Sequence, residues 1–247
     1  MTLNGGIKLN KKLGWSVCLL TLALCVSVLP AMSSTLFSDI GLPGNQYQSG
    51  SGWTVSGVGT VGVAFSAANL FTVGGSGSFA VDQIDLGVGW VVPPDTFTAS
   101  IWTDNAGLPG TQVANAFWSP LTTITNFGLC PPTCPGSYDG GGFVTISSIS
   151  GVSLTGGQSY FMILSAVSQS DASWNAWNWN SQGVNGLDLY STDGGNTWNS
   201  NGTGNPLGAF DVLGHQGGGT TPEPSSLLLL GTGLVGAFGA IRRKLNQ

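Results

Sequence analysis

The chain has 247 residues, with six Lys and Arg, eleven Asp and Glu, one His and forty Gly. All six cations lie near the ends, at Lys8, Lys11, Lys12, Arg242, Arg243 and Lys244, so residues 13–241 carry ten Asp and one Glu with no Lys or Arg. A body without cations cannot neutralise phosphates, which excludes nucleic acid as a partner, and it has no residues for lysine Schiff bases, P-loops or arginine clamps.

The first predicted element is an export signal. Lys8-Leu9-Asn10-Lys11-Lys12 precedes an apolar run over residues 13–29, and Pro30-Ala31-Met32-Ser33 then offers small residues at the two positions a signal peptidase reads. This layout predicts a signal peptide over residues 1–33, cleaved after Ser33. The alternative is an uncleaved anchor, for which the run is short. Cys18 and Cys25 leave with the peptide.

Residues 34–214 read as strands and turns. Gly57-Val58-Gly59-Thr60-Val61-Gly62 fits a GxGxxG pattern, and Asp82 falls twenty residues after it. A dinucleotide site needs a strand before the glycines and a helix after them within a βαβ unit. No parallel-sheet pattern follows, and chance matches are expected at this glycine content. Ile84, Leu86, Val88 and Trp90 alternate with other residues, and Phe97, Ala99 and Ile101 alternate with Thr96, Thr98 and Ser100, the period of a half-buried strand. Residues 143–149 and 207–213 are further strands. The unbroken apolar run Tyr160-Phe161-Met162-Ile163-Leu164 predicts a strand buried on both faces.

Turns are predicted at Asp104-Asn105-Ala106-Gly107, Leu108-Pro109-Gly110, Asp139-Gly140, Asn185-Gly186 and Asp193-Gly194-Gly195. Eight to ten short strands at this spacing define an all-β fold, an antiparallel β-sandwich of jelly-roll type. No helical period with caps interrupts them.

Candidate sites in the body each have a plainer alternative. Cys130 and Cys134 remain after export into an oxidising compartment, which favours a disulfide. The ring is small, so its chain-entropy contribution is about 2 kcal/mol at most. Two cysteines without further soft ligands make no metal site. Trp174, Trp177 and Trp179 alternate with Asn175, Asn178 and Asn180, and Trp198 follows. Aromatic faces beside amide donors are what a sugar ring needs, so these Trp residues are candidate glycan contacts. The alternative is a strand, with Trp177 and Trp179 on one face, Trp174 on the other, and some of the rings in the core.

Asp104, Asp188 and Asp193 sit in or beside Gly/Asn-rich turns and are candidate Ca²⁺ ligands; otherwise no metal or cofactor is called for. Asp favours such turns in any case. A hydrolase would need two converging carboxylates, and no nucleophile elbow or HExxH is present. His215 is placed in the linker after the last strand. Asn201-Gly202-Thr203 fits a glycosylation sequon but reads as a turn.

The C-terminus closes the chain with a linker over residues 215–221, then Pro222-Glu223-Pro224, an apolar span over residues 225–241, and Arg242-Arg243-Lys244. As a helix the span is roughly 25 Å long, at the short end of what crosses a bilayer. The basic clusters at both ends stay on the cytoplasmic side, leaving the body outside. Gly231, Gly233, Gly236 and Gly239 make this a weak permanent anchor and suit a transient one.

The ordered tripeptide, span and basic cluster resemble a PEP-CTERM sorting signal over residues 222–247. That resemblance implies recognition of Pro222, Glu223 and Pro224 by exosortase in the inner membrane of a Gram-negative bacterium that makes extracellular polysaccharide. An ordinary tail anchor is the alternative. Ala64-Phe65, Phe71-Thr72-Val73 and the segment Ser100-Ile101-Trp102-Thr103-Asp104-Asn105-Ala106-Gly107-Leu108-Pro109-Gly110 make the body similar to choice-of-anchor bacterial surface domains over roughly residues 50–213. This second resemblance implies a surface location and carries no catalytic residues.

The sequence therefore predicts an exported protein held transiently in the inner membrane, then placed at the cell surface or in the extracellular matrix. Its expected role is structural or adhesive and not enzymatic. A carbohydrate-binding module acting through the Trp cluster on an extracellular polysaccharide is the alternative, and a secreted hydrolase stands behind both. A body with ten Asp and no cation repels acidic polysaccharides, so direct binding would need neutral sugars or bridging Ca²⁺.

Overall fold

The computed structural model describes residues 33–43, 45–123, 126–127 and 143–217. The predicted signal peptide up to residue 32, Cys130 and Cys134, the predicted turn at Asp139-Gly140 and the sorting tail lie outside them.

Fourteen strands and one helical turn form among the described residues, more than the eight to ten strands expected. In chain order they are β1 (Ser34–Ser38), β2 (Tyr47–Ser56), α1 (Val58–Val61), β3 (Ser66–Thr72), β4 (Ser78–Leu86), β5 (Val88–Val92), β6 (Thr96–Asn105) and β7 (Leu108–Thr122). There follow β8 (Val144–Ile146), β9 (Ser153–Thr155), β10 (Ser159–Ser165), β11 (Trp174–Asn180), β12 (Asn185–Ser191), β13 (Asn199–Pro206) and β14 (Phe210–Gln216). The strands form three sheets. One has the order β1-β14-β4-β8, with β9 also on β4; the second runs β13-β12-β3-β10-β6-β7; the third is β2-β11-β5. Every strand pair within them is antiparallel.

The extra strands have local causes. The alternating stretch from Ile84 to Trp90 is not one strand, because Gly87 divides it. Its N–H donates to Ala209 O at 2.9 Å and its carbonyl accepts from the Asn178 N–H at 2.8 Å, so β4 and β5 enter different sheets. At the β6–β7 hairpin Ala106 and Gly107 have φ of 53° and 86°, the positive pair a two-residue type I′ turn requires. Asp104 Oδ1 accepts the Gly107 N–H at 2.8 Å. Leu108-Pro109-Gly110 is the start of β7, not a turn. Pro109 is tolerated there because β7 is an edge strand. Asn185-Gly186 likewise opens β12.

One core joins all three sheets. Phe97, Ala99 and Ile101 of β6, Met162 and Leu164 of β10, Ile84 and Leu86 of β4, and Phe210 and Val212 of β14 are among its fully buried members. Its aromatic centre stacks Phe210 against Phe37, Phe71 and Trp177 with ring centroids 4.7, 5.4 and 5.5 Å apart. Strand β10 is buried on both faces, as its unbroken apolar run predicts. Phe161 and Ile163 leave the main core and join Ala68 and Leu189 in a second cluster, with Trp102, Leu187 and Trp198 packed against it. The six-stranded sheet is thus apolar on both sides. Thr98 and Ser100, expected on a solvated face of β6, are both 7% exposed for this reason.

Strand β14 continues through Gln216, which corrects the linker boundary at residue 215. His215 pairs with Ala80 of β4, and its Nδ1 lies 2.8 Å from Asp82 Oδ1, an ion pair whenever the imidazole is protonated. Among the described residues no helix is long and apolar enough to cross a membrane.

Candidate functional site

The Trp/Asn alternation of β11 builds an interior seam. Trp177 is fully buried, which removes it from any exposed glycan platform. Its Nε1 donates to Ala209 O at 3.1 Å. The asparagines between the rings are also buried, and their amides bond to backbone, not to the outside. Asn175 Nδ2 donates to Thr96 O at 2.9 Å, Asn178 Nδ2 to Gly87 O at 3.0 Å, and Asn180 Nδ2 to Leu207 O at 2.8 Å. Buried carbonyls of irregular segments need such partners, and short amide side chains supply them.

The segment between β13 and β14 is held on β11 in this way, and Gly208 lies flat on the indole: a Cβ there would sit 2.4 Å from the Trp177 ring. Trp174 and Trp179 are half-buried. Trp179 and Trp177 do not form one surface, because Trp179 packs on Trp53 with centroids 5.4 Å apart. The Trp53 indole in turn donates to Pro206 O at 3.0 Å.

The three Asp candidates for Ca²⁺ fall in different places, and no group of His, Cys, Asp or Glu among the described residues is arranged to hold a metal. Asp104 caps the β6–β7 turn. Asp188 is buried, with Oδ1 accepting from Asn69 Nδ2 at 2.6 Å and Oδ2 from Asn201 Nδ2 at 2.5 Å. Burial pushes its carboxyl up to about 6, against the two amide bonds.

Asp193 organises its own loop. Its Oδ1 accepts from the Ser191 hydroxyl at 2.7 Å and from the N–H groups of Asn196 and Thr197 at 3.0 and 2.9 Å, while Oδ2 accepts the Thr197 hydroxyl at 2.7 Å. The Ser191 and Thr197 bonds hold its carboxyl down at about 2. Gly194 and Gly195, with φ of 69° and 95°, complete the turn that places Trp198.

A further acidic row crosses the first sheet. Asp211 pairs directly with Asp85 on β4 and with Ser38 on β1, beside buried Asp39. Burial raises Asp39 well above the usual carboxylate range, the Phe210 N–H opposes this, and the Asp211 charge adds to it. Burial also raises Asp211, with Asp85 contributing.

Two clefts on the described surface lie beside Asp188 and the Asp193 loop. The smaller, about 260 Å³, lies between Trp53 and Tyr190 with Asp188 at its side. A lone carboxylate with both oxygens occupied by Asn amides has no partner there for acid–base work. The larger, about 400 Å³, lies on the outer face of the six-stranded sheet. It is lined by Trp102, Gln112 and Phe117 from β6 and β7, Gln169 from the loop after β10, and Asn196 and Trp198 from the loop held by Asp193. Sequence reasoning missed this cleft. Only one part of it was readable, in β6, where Trp102 continues the Thr98, Ser100 face opposite the core residues.

Residues 220–244 match the PEP-CTERM protein-sorting motif. The fold and this tail together describe an all-β protein equipped for sorting, and the motif implies export to the cell surface and processing by exosortase. No curated protein and no solved structure matches the chain.

Proposed function

We propose that this is a non-catalytic surface or matrix component of a Gram-negative bacterium, with a signal peptide over residues 1–33 and a transient inner-membrane span over residues 225–241. Exosortase processing at the Pro222-Glu223-Pro224 signal then releases the body. The observation that carries this reading is the match of residues 220–244 to the sorting motif.

The body fits a structural or adhesive role. Its strand orders, β1-β14-β4-β8 and β3-β10-β6-β7, are those of an eight-stranded jelly roll, and β11 to β13 form an insertion before the last strand. The single cation on the described surface is His215, when protonated, so association with polysaccharide runs through neutral contacts. No cofactor enters the reading.

The test is a transplant. Residues 220–247 are fused behind a periplasmic reporter with its own signal peptide, in a cell that has exosortase. The reporter is expected to leave the membrane fraction for the cell surface or medium. The same fusion with Pro222, Glu223 and Pro224 changed to alanine is expected to stay in the inner membrane. Equal fractionation of the two fusions would overturn the reading.

A further inference from the structure

We propose that the cleft on the outer face of the six-stranded sheet binds a neutral polysaccharide. The tryptophans of β11 are not its binding surface; the contacts are Trp102, Phe117 and Trp198, with Gln112, Gln169 and Asn196 at the edges.

The cleft combines three features. The first is aromatic surface in the right state of exposure. Phe117 is 52% exposed on an edge strand, a position with no core to explain it. It stands opposite Ser100, two positions from Trp102, and Trp198 comes from the loop over the sheet. Flat rings of this kind accept the C–H face of a pyranose.

The second is a set of unused amides. Gln112 is the direct cross-strand neighbour of Trp102 and therefore shares its face. Neither its side chain nor that of Gln169 has a hydrogen-bond partner among the described residues, in contrast to the buried Asn amides of β11. Amides offering a donor and an acceptor side by side suit vicinal hydroxyls.

The third is charge. No ionisable side chain lines the cleft, and the body around it is acidic, so an anionic ligand is repelled and a cationic one finds no counter-charge. A volume of about 400 Å³ falls in the usual range for small-ligand sites and leaves room for a short stretch of sugar chain.

The loop that carries Trp198 is preorganised. Four hydrogen bonds to Asp193 fix it, so little ordering is left to be done on binding. This gives Asp193 a role: it positions Trp198.

The proposal rests on the surface reading above, which says where such a polymer is met. The test is affinity electrophoresis of the full chain in detergent, through gels containing a β-glucan, a mannan, a galactan, a xylan or alginate. At least one neutral polymer is expected to retard the chain, and alginate is not. Phe117→Ala combined with Gln112→Ala changes two exposed residues and leaves the core intact; it is expected to weaken retardation at least tenfold. Trp174→Ala is expected to leave it unchanged. Trp198→Ala is expected to weaken it too, but this ring also packs on the Phe161 cluster, so the Phe117/Gln112 pair decides. No retardation by any neutral polymer, retardation unaltered in that pair, or stronger retardation by alginate would each overturn the proposal. Sorting of the tail is read separately in the cell, so an unaltered chain that sorts normally but is retarded by no neutral polymer overturns the cleft alone.

Discussion

Trp177→Ala is expected to destabilise the fold by about 3–5 kcal/mol, the range for removing a fully buried large aromatic. The ring is 0% exposed and sits between Phe210 on one side and the Gly208 backbone on the other. Ala209 O keeps its bond from the Gly87 N–H when the indole is lost, so the loss is mainly of packing. In a domain of this size the melting temperature should fall by roughly 10 °C or more.

Trp174→Ala, at a half-buried position on the same strand, should cost less than half as much. Gly208→Ala should approach the Trp177 effect, since the added methyl meets the ring at 2.4 Å and both neighbours are held by backbone bonds. Denaturation of the full chain in detergent checks all three. A Trp177→Ala chain within 1 kcal/mol of wild type would show that β11 is a surface strand after all.

The second large effect is an unusual pH profile. Asp39, Asp188 and Asp211 all have folded carboxyl pKa values raised chiefly by burial. A group raised in the folded state binds its proton more tightly there than in the unfolded chain. Its stabilisation is complete below the unfolded value and is lost as pH rises through the folded value. For Asp188 that window runs from 3.8 to about 6, which corresponds to about 3 kcal/mol.

Asp193 acts with the opposite sign. Its carboxyl is held at about 2, so the loop bonds it makes are kept above the ordinary Asp value and lost as pH falls toward about 2. The melting temperature is therefore expected to rise by several degrees between pH 7.5 and pH 5 and to fall again in stronger acid. Asp188→Asn should reduce the rise, because the group that takes up the proton is gone. A melting temperature that is flat or falls between pH 7.5 and pH 5 contradicts the burial of these carboxyls.

The sequence and the structure agree where a signal depends on local periodicity. The two-sided burial of β10 was legible because five apolar residues in a row leave no polar face. The core face of β6 was legible from strict alternation. What failed were signals whose meaning depends on partners distant in the chain. Gly87 looked like one more residue in an alternating strand until Ala209 and Asn178 claimed its backbone. The Trp/Asn run left a sugar platform and a strand with rings in the core both open, because nothing local says that residues 206–209 return to cover it. Asp193 fitted either a cation turn or a turn that Asp favours in any case, and its oxygens serve its own loop. The larger cleft was hidden for the same reason: Trp102, Gln112, Phe117 and Trp198 lie on three separate segments, and only the pairing of β6 with β7 and the return of the 193–198 loop bring them together. The tail needed no partner to be read, because its three parts are contiguous.

The most direct test of the whole account is the intact mass of the protein recovered from the extracellular and surface fractions of the producing cell. The expected product is a chain that begins at Ser34 and lacks the apolar span over residues 225–241, with the full tail confined to the inner-membrane fraction. A surface or extracellular chain that retains Arg242, Arg243 and Lys244 would contradict it.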